Sequence, residues 1–179
     1  LSSLVGSEMC IRDRINQGGV GSHKQRDYLK KASAKGVKFI NVSPLKSDLE
    51  IARNVEWVSL KPNTDVALIL SLCYEINKAQ ATKRNFIDKY TVGFEQFSAY
   101  LNGHTDGVIK NANWASRITG ISKKTIFNLV KKIKNSNRTM ISVSWSLTRQ
   151  SHGEQPYWAA IALASVSYTH LTLPTMQVV

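Results

Sequence analysis

Three polar segments of the sequence carry side chains suited to binding an anionic ligand. They are "SPLKSD" at 43–48, "PNTD" at 62–65 and "SWSLTRQSHGEQ" at 144–155. Any one of them alone is readily explained as a turn or a capped helix start. Each, however, directly follows an apolar run, so the three occupy equivalent positions in successive units of the chain. That recurrence favours a shared ligand site over three unrelated loops.

The residue types in these segments indicate a nucleotide. A helix start offers backbone N–H donors to phosphate, and the Asp65 carboxylate can accept two hydrogen bonds from the N1–H and amino group of guanine. Adenine lacks the matching donors. Arg149 offers a planar fork of donors, Trp145 an apolar face with one N–H, and Lys46 a positive charge near a pyrophosphate. Neither G-x-G-x-x-G nor G-x-x-x-x-G-K-[ST] occurs, so an ordinary dinucleotide dehydrogenase or P-loop enzyme is not supported.

The elements that must position these segments alternate between helix and strand. Apolar, β-branched runs predict strands at 37–43, 56–62 and 138–145. Amphipathic or apolar patterns predict helices at 23–36, 65–81, 112–120, 122–136 and 153–164, with an irregular helical region at 84–103. Strands linked by helical crossovers predict an α/β protein with a parallel-sheet, Rossmann-like layer structure. In such sheets ligands bind beyond the carboxyl ends of the strands, where all three polar segments would lie.

Local signals within the helices lead to further expectations. Gly36 and Gly120 are placed to end helices, and Ser122 to cap one. Asn63 or Thr64 is expected to cap the helix that begins at Asp65. An aromatic stripe at near-helical spacing is assigned to core packing; its members are Phe86, Tyr90, Phe94, Phe97 and Tyr100, with a break at Gly93.

The two ends of the chain match one another at the level of DNA. "EMCIRD" at 8–13 can be encoded by GAG ATG TGT ATA AGA GAC, whose reverse complement translates as "VSYTHL", the sequence at 166–171. An inverted pair of this kind is typical of transposon ends ligated to DNA fragments for sequencing. Residues 1–14 and 166–179 are therefore expected to be non-native, which leaves 15–165 as the protein segment.

Composition narrows the classes of protein. The formal net charge of the chain is +12, and it stays +12 without the two ends because they hold two acidic and two basic residues. Such a charge attracts any polyanion, but the lysines are scattered without the aromatic interleaving of single-strand binders. Outside the ends, Cys73 is the one cysteine, which excludes a disulfide framework or a cysteine-rich metal site. Its apolar neighbours place Cys73 in a buried helix. No apolar run is long enough for a membrane span.

Several segments together resemble the molybdopterin oxidoreductases. They are "INVSP", "KPNTDVALILSLCYEI", "FIDKYTVGFEQFSAYLNGHTDGVIKNANWASRITGI" and "NRTMISVSWSLTRQSHGEQPYWAAIALA", which span most of 23–164. Within that superfamily the chain is most similar to the dimethyl sulfoxide, trimethylamine N-oxide and biotin sulfoxide reductases. The resemblance implies a partial domain of a larger enzyme that reduces S-oxides or N-oxides, and a fragment that would be inactive alone.

The resemblance also implies a cofactor and its contacts. The family binds molybdenum through two molybdopterin guanine dinucleotides. Val42, Ser43, Pro44 and Lys46, together with Asn63, Thr64 and Asp65, would hold one guanosine end, although many relatives carry an acidic residue where Ser43 stands. Trp145 and Arg149 would lie against a pterin-pyrophosphate portion, and His152, Glu154 and Gln155 would support them. The family's serine ligand to molybdenum lies upstream, so no catalytic residue and no metal ligand is assigned.

Two other interpretations stay open at this point. A basic α/β module that binds nucleic acid would gather its Lys and Arg residues into one stripe. A nitrate reductase or formate dehydrogenase type of molybdoenzyme would share much of the pattern, but the "HGEQ" motif favours the oxide reductases. For the latter the expected partners are a small S-oxide or N-oxide and an electron-donor protein, with no nucleic acid. The resemblance implies a periplasmic location and leaves a cytoplasmic one open.

Overall fold

A computed structural model describes residues 2–6, 25–49, 55–79, 82, 84–136, 139–167 and 170–172. Within these ranges five strands alternate with helices. The strands are β1 (Ser2–Gly6), β2 (Lys38–Val42), β3 (Val55–Val58), β4 (Thr139–Val143) and β5 (His170–Thr172). The helices are α1 (Gln25–Ala34), α2 (Asp65–Lys78), α3 (Arg84–Tyr90), α4 (Phe94–Leu101), α5 (Ala112–Thr119), α6 (Lys123–Asn135) and α7 (Gln155–Ser167).

The strands form one parallel sheet in the order β3-β2-β1-β4-β5. In the register of the pairing, β1 lies between β2 and β4, with Val5 opposite Asn41 on one side and Ser142 on the other. Because every pair is parallel, all carboxyl ends meet at the same edge of the sheet. The parallel α/β arrangement expected from the sequence is therefore confirmed.

The three strands predicted from apolar runs are confirmed as β2, β3 and β4. The two remaining strands were not predicted, since both fall within the ends expected to be non-native. Residues 2–6 form the central strand and residues 170–172 an edge strand. A central parallel strand is hydrogen-bonded on both sides. In this structure, the middle of the sheet is thus made by residues that the DNA-level pattern assigns to a sequencing tag.

Helix α2 is the centre of the helical layer. It packs against α4, α5, α6 and α7, and most of its residues are buried. Cys73 is fully buried on α2, as predicted, and burial raises the pKa of its thiol far above the ordinary range. The α6 helix is amphipathic: Ile126, Leu129, Val130 and Ile133 join the core while its lysines face solvent.

Three of the predicted helix-end signals are confirmed and one needs correction. Gly120 ends α5 at a φ of 77°. The Ser122 Oγ accepts a hydrogen bond from the Thr125 N–H, and Gly36 closes α1 at a φ of 83°. Thr64 stands at the N-cap of α2, but its side chain makes no capping hydrogen bond. Its ψ of 11° is not the extended conformation that capping side chains need, and its Oγ1 donates instead to the Lys61 oxygen at 2.6 Å.

The aromatic stripe is only partly core. Phe94, Phe97 and Tyr100 pack against the main cluster, as expected. Tyr90 is 64% exposed and contacts Phe86, with ring centroids 5.0 Å apart. The prediction of core packing is wrong for Tyr90 because Gly93, at a φ of 86°, turns the chain between α3 and α4, so the two halves of the stripe do not share one face.

Candidate functional site

The segment that follows β2 is a tight turn fixed by buried side chains. Val42 ends the strand in the core, and Ser43 is fully buried, with its Oγ donating to the Leu45 oxygen at 2.6 Å. Asn41 donates from Nδ2 to the Leu45 oxygen at 3.3 Å and to the Lys46 oxygen at 3.4 Å. These bonds hold the 43–46 backbone against the sheet edge. The Lys46 side chain is exposed there and is available to an anion.

Asn41 and Trp57 belong to this edge although sequence reasoning did not single them out. The Trp57 Nε1 donates to the Ser43 oxygen at 3.0 Å, which ties the turn after β2 to strand β3. The Asn41 Oδ1 is buried and has no hydrogen-bond partner among the described residues. A polar residue within the apolar run "FINV" was the available signal. Buried amide oxygens are normally satisfied, so this atom is a candidate acceptor for a group outside the described residues.

The segment after β3 leads directly into α2. Asn63 has a φ of 60°, a left-handed conformation that Asn tolerates better than most residues. Asp65 is the first residue of α2 and is only 5% exposed, at the positive end of the helix dipole. Because β2 and β3 are neighbours, segments 42–46 and 63–65 lie beyond adjacent strand ends. The structure thus brings these two predicted segments to one edge.

The third segment, after β4, folds back on itself. Trp145–Thr148 forms one 3-10 turn, and the Gln150 Nε2 donates to the Leu147 oxygen at 2.9 Å. His152 has a φ of 58°, and its Nδ1 lies 3.9 Å from the Glu154 Oε1. The Glu154 pKa is lowered, first by its own backbone N–H and then by Gln155. Arg149 is exposed on this loop.

The relation between the segments follows from the strand order. The third segment leaves the same edge of the sheet as the first two, but β1 separates β4 from β2. Two strand spacings correspond to about 10 Å between β2 and β4. That span is comparable to the length of a phosphate-linked ligand lying across the strand ends.

Among the described residues, no group of three His, Cys, Asp or Glu side chains comes together as a metal site.

Comparison with known proteins identifies the family. The model of the family described as "Molybdopterin oxidoreductase" matches residues 19–170. The chain belongs to the molybdopterin oxidoreductase family. Membership implies a cofactor of molybdenum and molybdopterin. It does not favour the alternative of a nucleic-acid-binding module. The lysines of α1 and α6 are exposed, but they lie on two separate helices and do not form the single stripe that such a module would need.

Similar proteins place this molybdopterin oxidoreductase chain near the oxide reductases. It is 45% identical over 149 residues to a biotin sulfoxide reductase of Cereibacter sphaeroides, covering 83% of this chain and 20% of that protein. It is 38% identical to a trimethylamine-N-oxide reductase of Haemophilus influenzae, with coverages of 78% and 17%. The chain thus spans about a fifth of the length of these relatives. The nitrate reductase or formate dehydrogenase alternative is not favoured.

A solved structure of the acetylene hydratase from Pelobacter acetylenicus has a similar fold. The TM-score is 0.72 at 21% identity, and the match covers 93% of this chain and 21% of the other. At this identity the likeness concerns the fold alone.

No helix within the described ranges has the length and apolar character that crossing a membrane requires.

Proposed function

We propose that this chain is part of a molybdenum-dependent reductase of S-oxides or N-oxides, and that it forms part of the cradle for molybdenum bis(molybdopterin guanine dinucleotide). The sequence similarity to biotin sulfoxide and trimethylamine-N-oxide reductases supports the reaction class. The parallel pairing of β2 with β3, two strands within the segment proposed to be native, supports a Rossmann-like domain. When bound, the cofactor supplies the two-electron chemistry that removes oxygen from the substrate.

The observation that carries the proposal is the position of Asp65. Its side chain is buried at the start of α2, which follows β3, the strand that neighbours β2. A carboxylate at that position can accept hydrogen bonds from the N1–H and amino group of guanine, while the α2 N-terminus offers N–H donors to phosphate. The proposed guanosine site is completed by the backbone of Val42, Ser43 and Pro44, and the Lys46 side chain adds a positive charge. Asn63 and Thr64 set the entry into the helix.

The third segment has a different role in the proposed cradle. The strand order, and not the strand direction, changes side at β1: β2 and β3 lie on one side of it and β4 and β5 on the other, and ligands of open parallel sheets lie at such switch points. The segment after β4 begins there. Trp145 and the exposed Arg149 would face the pterin and pyrophosphate portion, where a guanidinium can bind phosphate through paired hydrogen bonds. His152, Glu154 and Gln155 would keep the loop in shape.

The whole enzyme would extend well beyond this segment. We propose that residues 15–165 are native and that 1–14 and 166–179 derive from a sequencing tag. The electron-donor protein, the periplasmic location and the molybdenum ligand belong to the full-length enzyme. Amplifying the source gene with primers outside the fragment tests the boundaries, and a gene that continues "EMCIRD" or "VSYTHL" without interruption would contradict them.

The cradle is tested by replacing Asp65 in the full-length enzyme. Asp65→Asn keeps the side-chain size but places donors against the donors of guanine, and Asp65→Ala removes the acceptor. Losing the paired contact is expected to cost about 1–3 kcal/mol of guanine nucleotide affinity. Nucleotide released on denaturation and molybdenum content are both measured. Asp88→Asn on α3, at an exposed position, serves as the matched control. Unchanged guanine occupancy in both Asp65 variants would reject the assignment.

A further inference from the structure

The indole of Trp57 joins strand β3 to the turn that follows β2. Its Nε1 donates to the Ser43 oxygen at 3.0 Å, across 14 positions of the sequence. In the register of the sheet Trp57 lies opposite Asn41, so the two side chains leave the sheet on the same face. The Trp57 side chain is 39% exposed, so core packing alone does not explain a tryptophan at this position. The bond to Ser43 indicates a role besides packing.

Asn41 holds the same turn from the neighbouring strand. Its Nδ2 donates to the Leu45 oxygen at 3.3 Å and to the Lys46 oxygen at 3.4 Å, and the residue is fully buried. These bonds are longer than the 3.0 Å bond from Trp57, so we expect them to be weaker. Together the two side chains engage three carbonyl oxygens of the turn, those of Ser43, Leu45 and Lys46. We call Asn41 and Trp57 the turn-holding pair.

The turn-holding pair affects how the turn can receive an anion. A carbonyl oxygen carries a negative partial charge and repels phosphate, whereas backbone N–H groups attract it. The pair ties three carbonyl oxygens to side-chain donors of the sheet, while the Lys46 side chain stays exposed. A turn that is held in one conformation before binding also loses less entropy when the ligand binds. Both effects favour an anionic ligand next to Lys46.

We propose that Trp57 is a positioning residue for the guanosine end of the cofactor, because its N–H holds the turn that carries Lys46 in the conformation that binds the nucleotide. The inference rests on the proposed function, since it requires a guanine dinucleotide at this edge of the sheet. Trp57 acts through the turn and not through contact with the cofactor. The bonds that carry the inference lie within residues 41–57, inside the segment proposed to be native.

A purely structural role of Trp57 is the competing explanation. A large ring on an edge strand can shield the sheet from water, and its loss would then weaken the fold without a specific effect on the nucleotide. The two explanations differ in what they predict for Lys46. If Trp57 acts through the turn, its N–H and the Lys46 charge serve the same interaction, so their effects are coupled. If Trp57 only stabilises the fold, the two effects are independent.

The experiment measures how fast the purified full-length holoenzyme loses guanine nucleotide. The enzyme is incubated in urea below its unfolding transition, and the released cofactor is hydrolysed in acid so that its guanine nucleotide can be quantified over time. Trp57→benzothienylalanine keeps the size and shape of the indole but lacks the N–H, and Trp57→Phe is the second variant. We expect both variants to release the nucleotide roughly two- to ten-fold faster, the factor that corresponds to one net hydrogen bond.

Trp114→benzothienylalanine is the matched control, because it makes the same chemical change elsewhere. Trp114 is a half-buried tryptophan on α5, and the first amide of α5 contacts Glu75. Glu75 lies about 15 Å beyond Asp65 along the axis of α2, so α5 begins far from the proposed guanosine site. We expect this control to release the nucleotide at the rate of the unmodified enzyme.

Lys46→Met, alone and combined with Trp57→Phe, separates positioning from general stabilisation. We expect Lys46→Met to speed release, and the double variant to exceed the faster single variant by less than about two-fold. Two factors that multiply would overturn the inference, and so would Trp57 variants that release nucleotide at the unmodified rate. In both cases the proposed function stands, because the unmodified enzyme still holds the nucleotide. An unmodified holoenzyme without guanine nucleotide would reject the proposed function and this inference with it.

Discussion

The Tyr157 hydroxyl donates a hydrogen bond to the Ser144 backbone oxygen at 3.0 Å. This bond joins the end of β4 to the first turn of α7 and closes the base of the loop that contains Arg149. The half-buried phenol sits beside the small apolar cluster of Val143, Leu147 and Ala160. Burial raises its pKa above the usual 10.0, so the neutral hydroxyl is the form that the fold favours.

Replacing this hydroxyl should loosen the loop in a pH-dependent manner. Tyr157→Phe is expected to lower the free energy of unfolding by about 0.5–1.5 kcal/mol at neutral pH, because one neutral hydrogen bond is lost. The folded-state pKa is raised, so the stabilisation is complete below pH 10 and is lost as pH rises beyond it. Denaturant titrations from pH 7 to 11 check this. Parallel losses of stability above pH 10 in both proteins would contradict it.

Gly153 in the "HGEQ" motif is required by a close backbone contact. A Cβ at this position would lie 2.2 Å from the Thr148 oxygen. Gly153→Ala should therefore displace the turn and cost roughly 1–3 kcal/mol or more, as overpacking does. Gly107→Ala is the control, because a Cβ at Gly107 would meet no atom within 4 Å. Its φ of 73° gives backbone strain without a steric clash. We expect increased hydrogen exchange at the amides of positions 153 and 155 only in the first variant; equal exchange in both would reject the packing argument.

The sequence predicted β2, β3 and β4 because apolar runs between breakers are local patterns. The Ser122 cap was also predictable, since capping joins residues three apart. The failed Thr64 cap depended on the backbone angles of a turn that the residue types leave open. Strands β1 and β5 escaped prediction because their residues were assigned to a sequencing tag.

The segments of the candidate site could be predicted from the sequence, but their arrangement in space could not. Segments 42–46 and 63–65 follow neighbouring strands, a relation that requires the strand order. The contribution of Trp57 depends on a hydrogen bond to Ser43, 14 positions away. Lys110 was likewise not predictable from its residue type. Lysines are normally expected at the surface, yet the Lys110 side chain is 3% exposed. Neither the hydrogen bond between Trp57 and Ser43 nor the burial of Lys110 leaves a periodic signal in the sequence.

Glu75 joins two helices that are distant in sequence. Its Oε1 accepts a hydrogen bond at 2.9 Å from the Ala112 N–H, the first amide of α5. Glu75→Ala would leave that buried donor without a partner and should cost about 1–3 kcal/mol of stability. Glu75→Gln keeps an acceptor oxygen and should lose less. Chemical denaturation of both variants checks the order, and an equal loss in the two would show that charge rather than the hydrogen bond matters.

Lys110 forms a second clamp, between residues close in sequence, and Asp106 makes it sensitive to acid. The Lys110 Nζ donates to the Asp106 Oδ2 at 2.5 Å and to the Val108 oxygen at 2.6 Å. It also lies 4.5 Å from the Tyr100 ring centroid and 5.5 Å from that of Trp114. The hydrogen bond from Lys110 and then the Val108 N–H lower the pKa of Asp106 below the usual 3.8.

This lowered pKa predicts the direction of the acid response. A depressed folded-state pKa gives stability that is present above pH 3.8 and is lost as pH falls through the folded value. Asp106→Asn should remove that part of the acid dependence while Lys110 keeps its bond to the Val108 oxygen and its aromatic contacts. Lys110→Met should reduce it without abolishing it, because the larger cause of the lowered pKa is gone while the hydrogen bond from the Val108 N–H remains, and the double variant should match Asp106→Asn in slope. Denaturant midpoints between pH 2.5 and 7 measure these slopes, and curves for unmodified protein and Asp106→Asn that differ only by a constant would count against the clamp.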